Sequence, residues 1–317
     1  MTIHFRKRCI LLCLTVVAAV ASRTFAADET FTRSEDVVYG RKFGTALTLD
    51  VFTPKENANG AAIVSVVSGG WVSDHGFVNG ANYSEFLRRG YTVFAVVHGS
   101  QPKYSIPEVL EDMHRSVRFI RSRAAQYKID PDRIGITGGS AGGHLSLMQG
   151  TAGTNGQPDA PDQVDRVSSR VQAVACFFPP TDFLNYGRPG EIALGNGVLV
   201  NFRAPFDFKE PDAKDKPFDE KRRALVMITD ENKRLEIGKA ISPVYHVSSD
   251  DPPSLIIHGD ADTLVPIQQA EIIIARFKAV NVPCELVVKP GAGHGWAGME
   301  KDVLTIADWF DKHLAKK

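Results

Sequence analysis

Apolar runs of strand length recur along the chain at residues 35–39, 47–52, 61–67, 91–97, 133–137, 171–178, 254–258 and 284–288. Each is bounded by turn-forming or charged residues, as strands usually are. From the third run onward they tend to alternate with segments whose apolar residues step by three and four. Leu110, Met113, Val117 and Ile120 form one such series, and Met299, Val303, Ile306, Phe310 and Leu314 another. That spacing puts the side chains on one helix face. The alternation predicts an α/β fold, with an eight-stranded, mostly parallel sheet covered by helices on both faces. Between the sixth and seventh runs the rhythm stops, from about residue 180 to 250, and a charge-rich stretch occupies 209–223. We read this segment as a cap insertion in which Phe183, Leu194, Val198, Phe206 and Leu225 supply a small apolar face.

The first residues have a different pattern. Arg6, Lys7 and Arg8 precede an apolar stretch at 9–21, followed by Thr24-Phe25-Ala26. Positive, apolar and small-residue zones in that order predict a signal peptide over 1–26, cleaved near Ala26, and a secreted or periplasmic domain over 27–317. The apolar stretch is too short to span a bilayer, and Leu12 rather than a small residue precedes Cys13, so no stable membrane anchor is expected. Cleavage would remove Arg6, Lys7, Arg8 and Arg23 but no acid, so 37 − 4 leaves 33 bases against 37 acids. A net charge near −4 offers nothing to nucleic acid. Two of the four cysteines, Cys9 and Cys13, fall in the signal segment, and Cys176 and Cys284 sit in apolar runs that read as buried thiols. The pattern leaves the oligomeric state unknown.

The fifth run, Arg133-Ile134-Gly135-Ile136-Thr137, passes directly into Gly138-Gly139-Ser140-Ala141-Gly142-Gly143 and then a helical segment. A serine hydroxyl is a weak nucleophile unless it is held exposed beside a base. A sharp strand–turn–helix corner flanked by glycines does the holding. Ser140 is the candidate nucleophile. Among nine histidines, His294 follows the eighth run in Pro290-Gly291-Ala292-Gly293-His294-Gly295-Trp296, where flanking glycines free the backbone to turn the imidazole toward the sheet edge. An acid must fix that imidazole's tautomer. The loop after the seventh run offers Asp260 and Asp262, between which spacing does not choose, and Asp182 after the sixth run is a distant third. The order Ser, Asp, His along the chain is the one the α/β-hydrolase arrangement requires. Oxyanion donors are expected from the amide of Ala141 and from Gly69 or Gly70 in Val66-Val67-Ser68-Gly69-Gly70-Trp71. His258 and Asp260 lack a third partner at metal-ligand spacing, and the chemistry calls for no metal or organic cofactor.

Four segments carry a family resemblance: Ser68-Gly69-Gly70-Trp71, Gly138-Gly139-Ser140-Ala141-Gly142-Gly143-His144-Leu145, His258-Gly259-Asp260-Ala261-Asp262-Thr263-Leu264-Val265-Pro266 and Gly291-Ala292-Gly293-His294-Gly295-Trp296. Together they resemble the esterase/lipase branch of the α/β-hydrolases. More narrowly, they are similar to small secreted feruloyl and acetyl xylan esterases and to the catalytic domain of prolyl oligopeptidases. The resemblance implies that Asp262, which begins an Asp-x-x-Val-Pro pattern, is the acid. It implies a serine esterase acting on small-molecule or polysaccharide-linked esters. Two positions depart from the family pattern. Val67 and Ser68 stand where His-Gly often opens the oxyanion loop, and Val97-His98-Gly99 stands where Asn-Tyr-Arg often ends the fourth strand. Trp71, His75, His98 and Trp296 are candidate pocket residues. A peptidase of prolyl oligopeptidase type is the nearest rival, but only about 35 residues separate the cleavage point from the third run, too few for a propeller. A binding protein that has lost its chemistry on the same fold is the second rival.

Overall fold

The structure is a computed structural model that describes residues 30–209 and 226–316. The expected signal segment, Leu225 and most of the charge-rich 209–223 stretch lie outside those residues. β1 (Phe31–Lys42) and β2 (Thr45–Pro54) form an antiparallel hairpin. Its two loop residues, Phe43 and Gly44, both have positive φ, 46° and 74°, which a two-residue hairpin loop with the right twist demands. The remaining strands are β3 (Ala62–Val67), β4 (Thr92–Val97), β5 (Ile134–Gly139), β6 (Ala173–Phe177), β7 (Ser254–Gly259) and β8 (Cys284–Lys289). They assemble in the order β1-β2-β4-β3-β5-β6-β7-β8. β2 pairs antiparallel with β4, and every later pair is parallel. This is the α/β-hydrolase fold.

Each expected run is a strand. β1 extends beyond the expected 35–39 because it is an edge strand whose ends, such as Thr32 and Arg41, face solvent and carry no apolar signal. Seven helices are described: α1 (Ser84–Arg88), α2 (Ile106–Ser122), α3 (Ala124–Tyr127), α4 (Ala141–Thr151), α5 (Glu231–Ala240), α6 (Gln268–Ala279) and α7 (Val303–His313). α2 begins at a capping box in which Glu108 accepts from the Ser105 amide at 2.8 Å. Its buried face is Val109, Met113, Val117 and Ile120, with Leu110 partly buried beside them.

Alternate strand residues face opposite sides of the sheet. Val64, Val66, Phe94, Val96, Ile134 and Ile136 pack in one core with α2, α4 and α6. Ile63, Val93, Ala95, Ala173 and Ala175 pack in the other with α1 and α7. α7 lies close on the sheet at Gly135, where a Cβ would come within 2.7 Å of the Phe310 ring. Between β6 and β7, Phe183, Leu194 and Phe206 are buried in the first core. Val198 is not part of that apolar face. It lies in the 3-10 turn Gly197–Phe202 and is 43% exposed, while its neighbour Leu199 turns inward. Cys176 is buried and Cys284 only partly so, because β8 is the outer strand. Among the described residues no helix is long and apolar enough to cross a membrane.

Phe310 fills the gap that Gly135 leaves, so Phe310→Ala should lower the unfolding free energy by about 3–5 kcal/mol. Urea denaturation measures it, and a loss below about 1 kcal/mol would contradict this packing.

Candidate active site

Ser140 is the single residue between β5 and α4, with φ 54° and ψ −119°. A non-glycine residue held there is strained by roughly 1–3 kcal/mol. Both of its backbone groups are tied down. Its amide donates to the Phe177 carbonyl at 3.0 Å, and its carbonyl accepts from the His144 amide at 2.9 Å. The turn closes only because its flanks lack side chains. A Cβ on Gly138 would lie 2.6 Å from the Gly142 backbone, one on Gly142 would lie 3.0 Å from the Val66 oxygen, and one on Gly143 would lie 2.8 Å from the Phe177 oxygen.

The structure brings Ser140, His294 and Asp262 together. His294 Nε2 is 2.9 Å from Ser140 Oγ, and His294 Nδ1 is 2.7 Å from Asp262 Oδ2. Asp262 Oδ1 accepts from the amides of Leu264 and Val265, each at 2.9 Å. Burial works against ionisation of Asp262, but bonds from His258 and His294 and the Val265 amide outweigh it and hold the carboxyl well below its usual range. The imidazole also rests on the Phe178 ring, with centroids 4.4 Å apart.

Asp260 has a different task. Its Oδ1 accepts from the Gly291 amide at 2.6 Å, and the next amide, of Ala261, donates to the Ala292 carbonyl at 2.9 Å. The acid loop and the histidine loop are thus joined main chain to main chain. Gly259 permits the approach, since a Cβ there would lie 2.2 Å from the Ala292 oxygen. Asp182 accepts from the amides of Leu184 and Asn185 and organises the start of the insertion.

In the oxyanion loop, Gly69 N–H donates to the Val72 carbonyl at 3.0 Å and Gly69 O accepts from the Val72 amide at 2.9 Å. That amide is therefore committed. Gly70 and Trp71 follow with φ 55° and 59°, and the Gly70 amide has no acceptor among the described residues. The Ala141 amide opens α4, where it has no intrahelical acceptor. Phe202 from the insertion lies against Gly70, so that a Cβ there would meet the ring at 2.5 Å. The two departures from the family pattern touch one another. His98 Nδ1–H donates to the Gly99 carbonyl at 2.8 Å, which leaves Nε2 to accept from the Ser68 hydroxyl, also at 2.8 Å.

Each of the four candidate pocket residues makes at least one polar contact within the protein. Trp71 and His98 are buried. Trp71 Nε1–H donates to His144, and Trp296 Nε1–H donates to Asp302 at 2.7 Å. His75 lies 3.1 Å from Asp50 and 3.8 Å from Asp36. The Arg33 guanidinium also binds Asp50, at 2.5 Å, so Asp50 joins β1, β2 and the loop after β3 through side-chain contacts. A cavity of about 920 Å³ opens elsewhere. It runs from Ser68, Gly69, Gly138 and Gly139 down between α1 and α7, past Phe86 and Ile306. None of the four lines it. Sequence reading also missed His258, which donates Nε2–H to the Val265 carbonyl at 2.8 Å and lies 3.5 Å from Asp262. The signal was its place four residues before the acid across a tight turn.

The family profile described as BD-FAE matches residues 49–197 and 196–277. The chain belongs to the BD-FAE family. The matched segments hold Ser140 and Asp262 and end before His294. This BD-FAE chain is 28% identical over 255 residues to the probable carboxylic ester hydrolase LipM of Mycobacterium tuberculosis (strain ATCC 25618 / H37Rv), covering 78% of this chain and 52% of that protein. It is 24% identical over 259 residues to the acetylxylan esterase of Xylanibacter ruminicola, covering 81% and 44%. The chain spans about half the length of the curated relatives it matches. Among solved structures, a truncated form of a carbohydrate esterase from gut microbiota superposes with a TM-score of 0.67 and 26% identity, over 92% of this chain and 99% of that one.

Burial pushes His98 and His144 down to about 4, while both titrate near 6.5 in the unfolded chain. The unfolded state therefore takes up more protons between those values, and stability falls with acid by roughly 3 kcal/mol per imidazole. Asp112, pushed up to about 6 by burial, works in the opposite direction and offsets roughly 3 kcal/mol. His114, likewise held down to about 4 by burial, adds to the loss, so the net expectation is a loss of at least roughly 3 kcal/mol from pH 6.5 to 4. Urea denaturation across that range checks it, and a flat or rising profile would contradict it.

Proposed function

We propose that the protein is an exported carboxylic ester hydrolase that works through an acyl-enzyme on Ser140, with acyl groups on polysaccharides as its substrates. The observation that carries the reading is the hydrogen-bonded chain from Asp262 through His294 to Ser140, at 2.7 and 2.9 Å, on a strained turn. His294 Nε2 takes the Ser140 proton as Oγ attacks the ester carbonyl. Asp262 keeps the other ring nitrogen protonated and stabilises the imidazolium. The amides of Ala141 and Gly70 receive the oxyanion, because the Gly69 amide already serves Val72. The imidazolium then protonates the leaving alcohol, and water repeats the sequence in reverse to release the acid.

The printed names of the relatives support an ester as the substrate class, and two of those reported above, the acetylxylan and carbohydrate esterases, support a sugar-linked one. The charged, apolar and small-residue zones at 1–26 support export.

Hydrolysis of p-nitrophenyl acetate, butyrate and octanoate, followed by acetylated and feruloylated xylan, is the first test. Ser140→Ala should lower kcat/KM by about 10⁴-fold or more, and Asp262→Asn by about 10³–10⁴-fold. A fluorophosphonate probe should label wild type and not Ser140→Ala. Equal turnover by wild type and Ser140→Ala, or no turnover on any ester, would defeat this reading.

A further inference from the structure

His144 follows the glycines of the nucleophile turn and is wholly buried in α4, yet both ring nitrogens are engaged. Nε2 lies 2.7 Å from the Ile241 carbonyl at the end of α5, and Nδ1 lies 3.2 Å from Trp71 Nε1. A carbonyl oxygen only accepts and an indole N–H only donates. One tautomer satisfies both: the proton on Nε2 and the lone pair on Nδ1. Trp71 directly follows Gly70, shares its left-handed backbone, and is packed edge-on against His144 and Phe206 with ring centroids 5.7 and 5.3 Å apart. A single imidazole therefore ties together the oxyanion turn, the nucleophile helix and the insertion. Packing alone would need only an apolar side chain of similar size here, as at the neighbouring buried Leu145 and Leu147.

We propose that His144 is a positioning residue. It accepts the Trp71 indole N–H while donating to Ile241, and so fixes where the Gly70 amide stands relative to the Ala141 amide. This rests on the reading of those two amides as the oxyanion donors. Ala141 and His144 share one rigid helix, so the hydrogen bond to Trp71 transmits the position of that helix to the loop from β3. The Phe202 ring against Gly70 bears on the same turn from the insertion side.

The test compares His144→Leu, His144→Asn, Trp71→Phe and the double variant Trp71→Phe/His144→Leu. His144→Leu should lower kcat on p-nitrophenyl acetate by about 10–100-fold with KM within about twofold, part of the cost of losing an oxyanion donor outright. In His144→Asn the amide oxygen can occupy the Nδ1 position and accept from the indole, so most of the loss should be recovered. Trp71→Phe keeps most of the ring volume and should lose kcat alone, and the double variant should be no worse than either single one. NMR gives a readout independent of turnover. The chain has three tryptophans, and the indole resonance missing from Trp71→Phe, with the Gly70 amide resonance, should shift in His144→Leu and return in His144→Asn. Unmoved resonances, additive losses, or His144→Asn no better than His144→Leu would overturn the proposal. An inactive wild type whose Trp71 and Gly70 resonances still follow His144 would defeat the esterase reading and support the positioning role.

Discussion

The molecule is organised around a corner that only one backbone conformation can make. Ser140 must leave a buried parallel strand and enter a helix within one residue, at φ 54°. The chain accepts that strain because both neighbouring strands hold it. Phe177 of β6 receives the Ser140 amide, and the Val66 carbonyl of β3 lies so near Gly142 that a Cβ there would be crowded, 3.0 Å from its oxygen. The corner therefore fixes the height of α4 over the sheet, and with it the first free amide of that helix. An accommodating turn would relieve the strain and lose the exposure of the hydroxyl.

The second constraint is the joining of two loops. Asp262 and His294 come from strands separated by α6, yet the main chain of one loop is bonded to that of the other through Ala261 and Ala292. Asp262 and His294 are thus positioned as one body by backbone contacts, and their side chains inherit the geometry. The insertion between β6 and β7 acts on the opposite flank. Its buried Phe183 and Phe206 pack on Trp71, so it reaches the site through the loop after β3.

Local pattern made the strands, the corner at Ser140 and the loops that carry Asp262 and His294 legible, because each is a short-range demand of the backbone. Spacing could not separate Asp260 from Asp262, since both sit on one tight loop, and what divides them is the hydrogen bond that Asp260 accepts from the Gly291 amide on the other loop. The choice between Gly69 and Gly70 turns on the Val72 carbonyl, three residues away but folded back. The pairing of Ser68 with His98 and the inward turn of Leu199 beside an exposed Val198 are tertiary facts that no periodicity records. Trp71, His75, His98 and Trp296 looked available by type, and each proved to be a partner in an internal hydrogen bond.

The sheet also ranks its functional groups by depth. Ser140 hangs from β5, near the middle of the sheet, whereas His294 follows β8, which is paired on one side only and half-exposed along its length. Outer strands open at lower free energy than central ones. His294, the proposed proton acceptor, is therefore mounted on one of the parts of the scaffold that fray first. On the proposed mechanism, activity would report on the rim of the sheet rather than on its interior, and would fade while most of the amide protons of the central strands were still shielded from exchange.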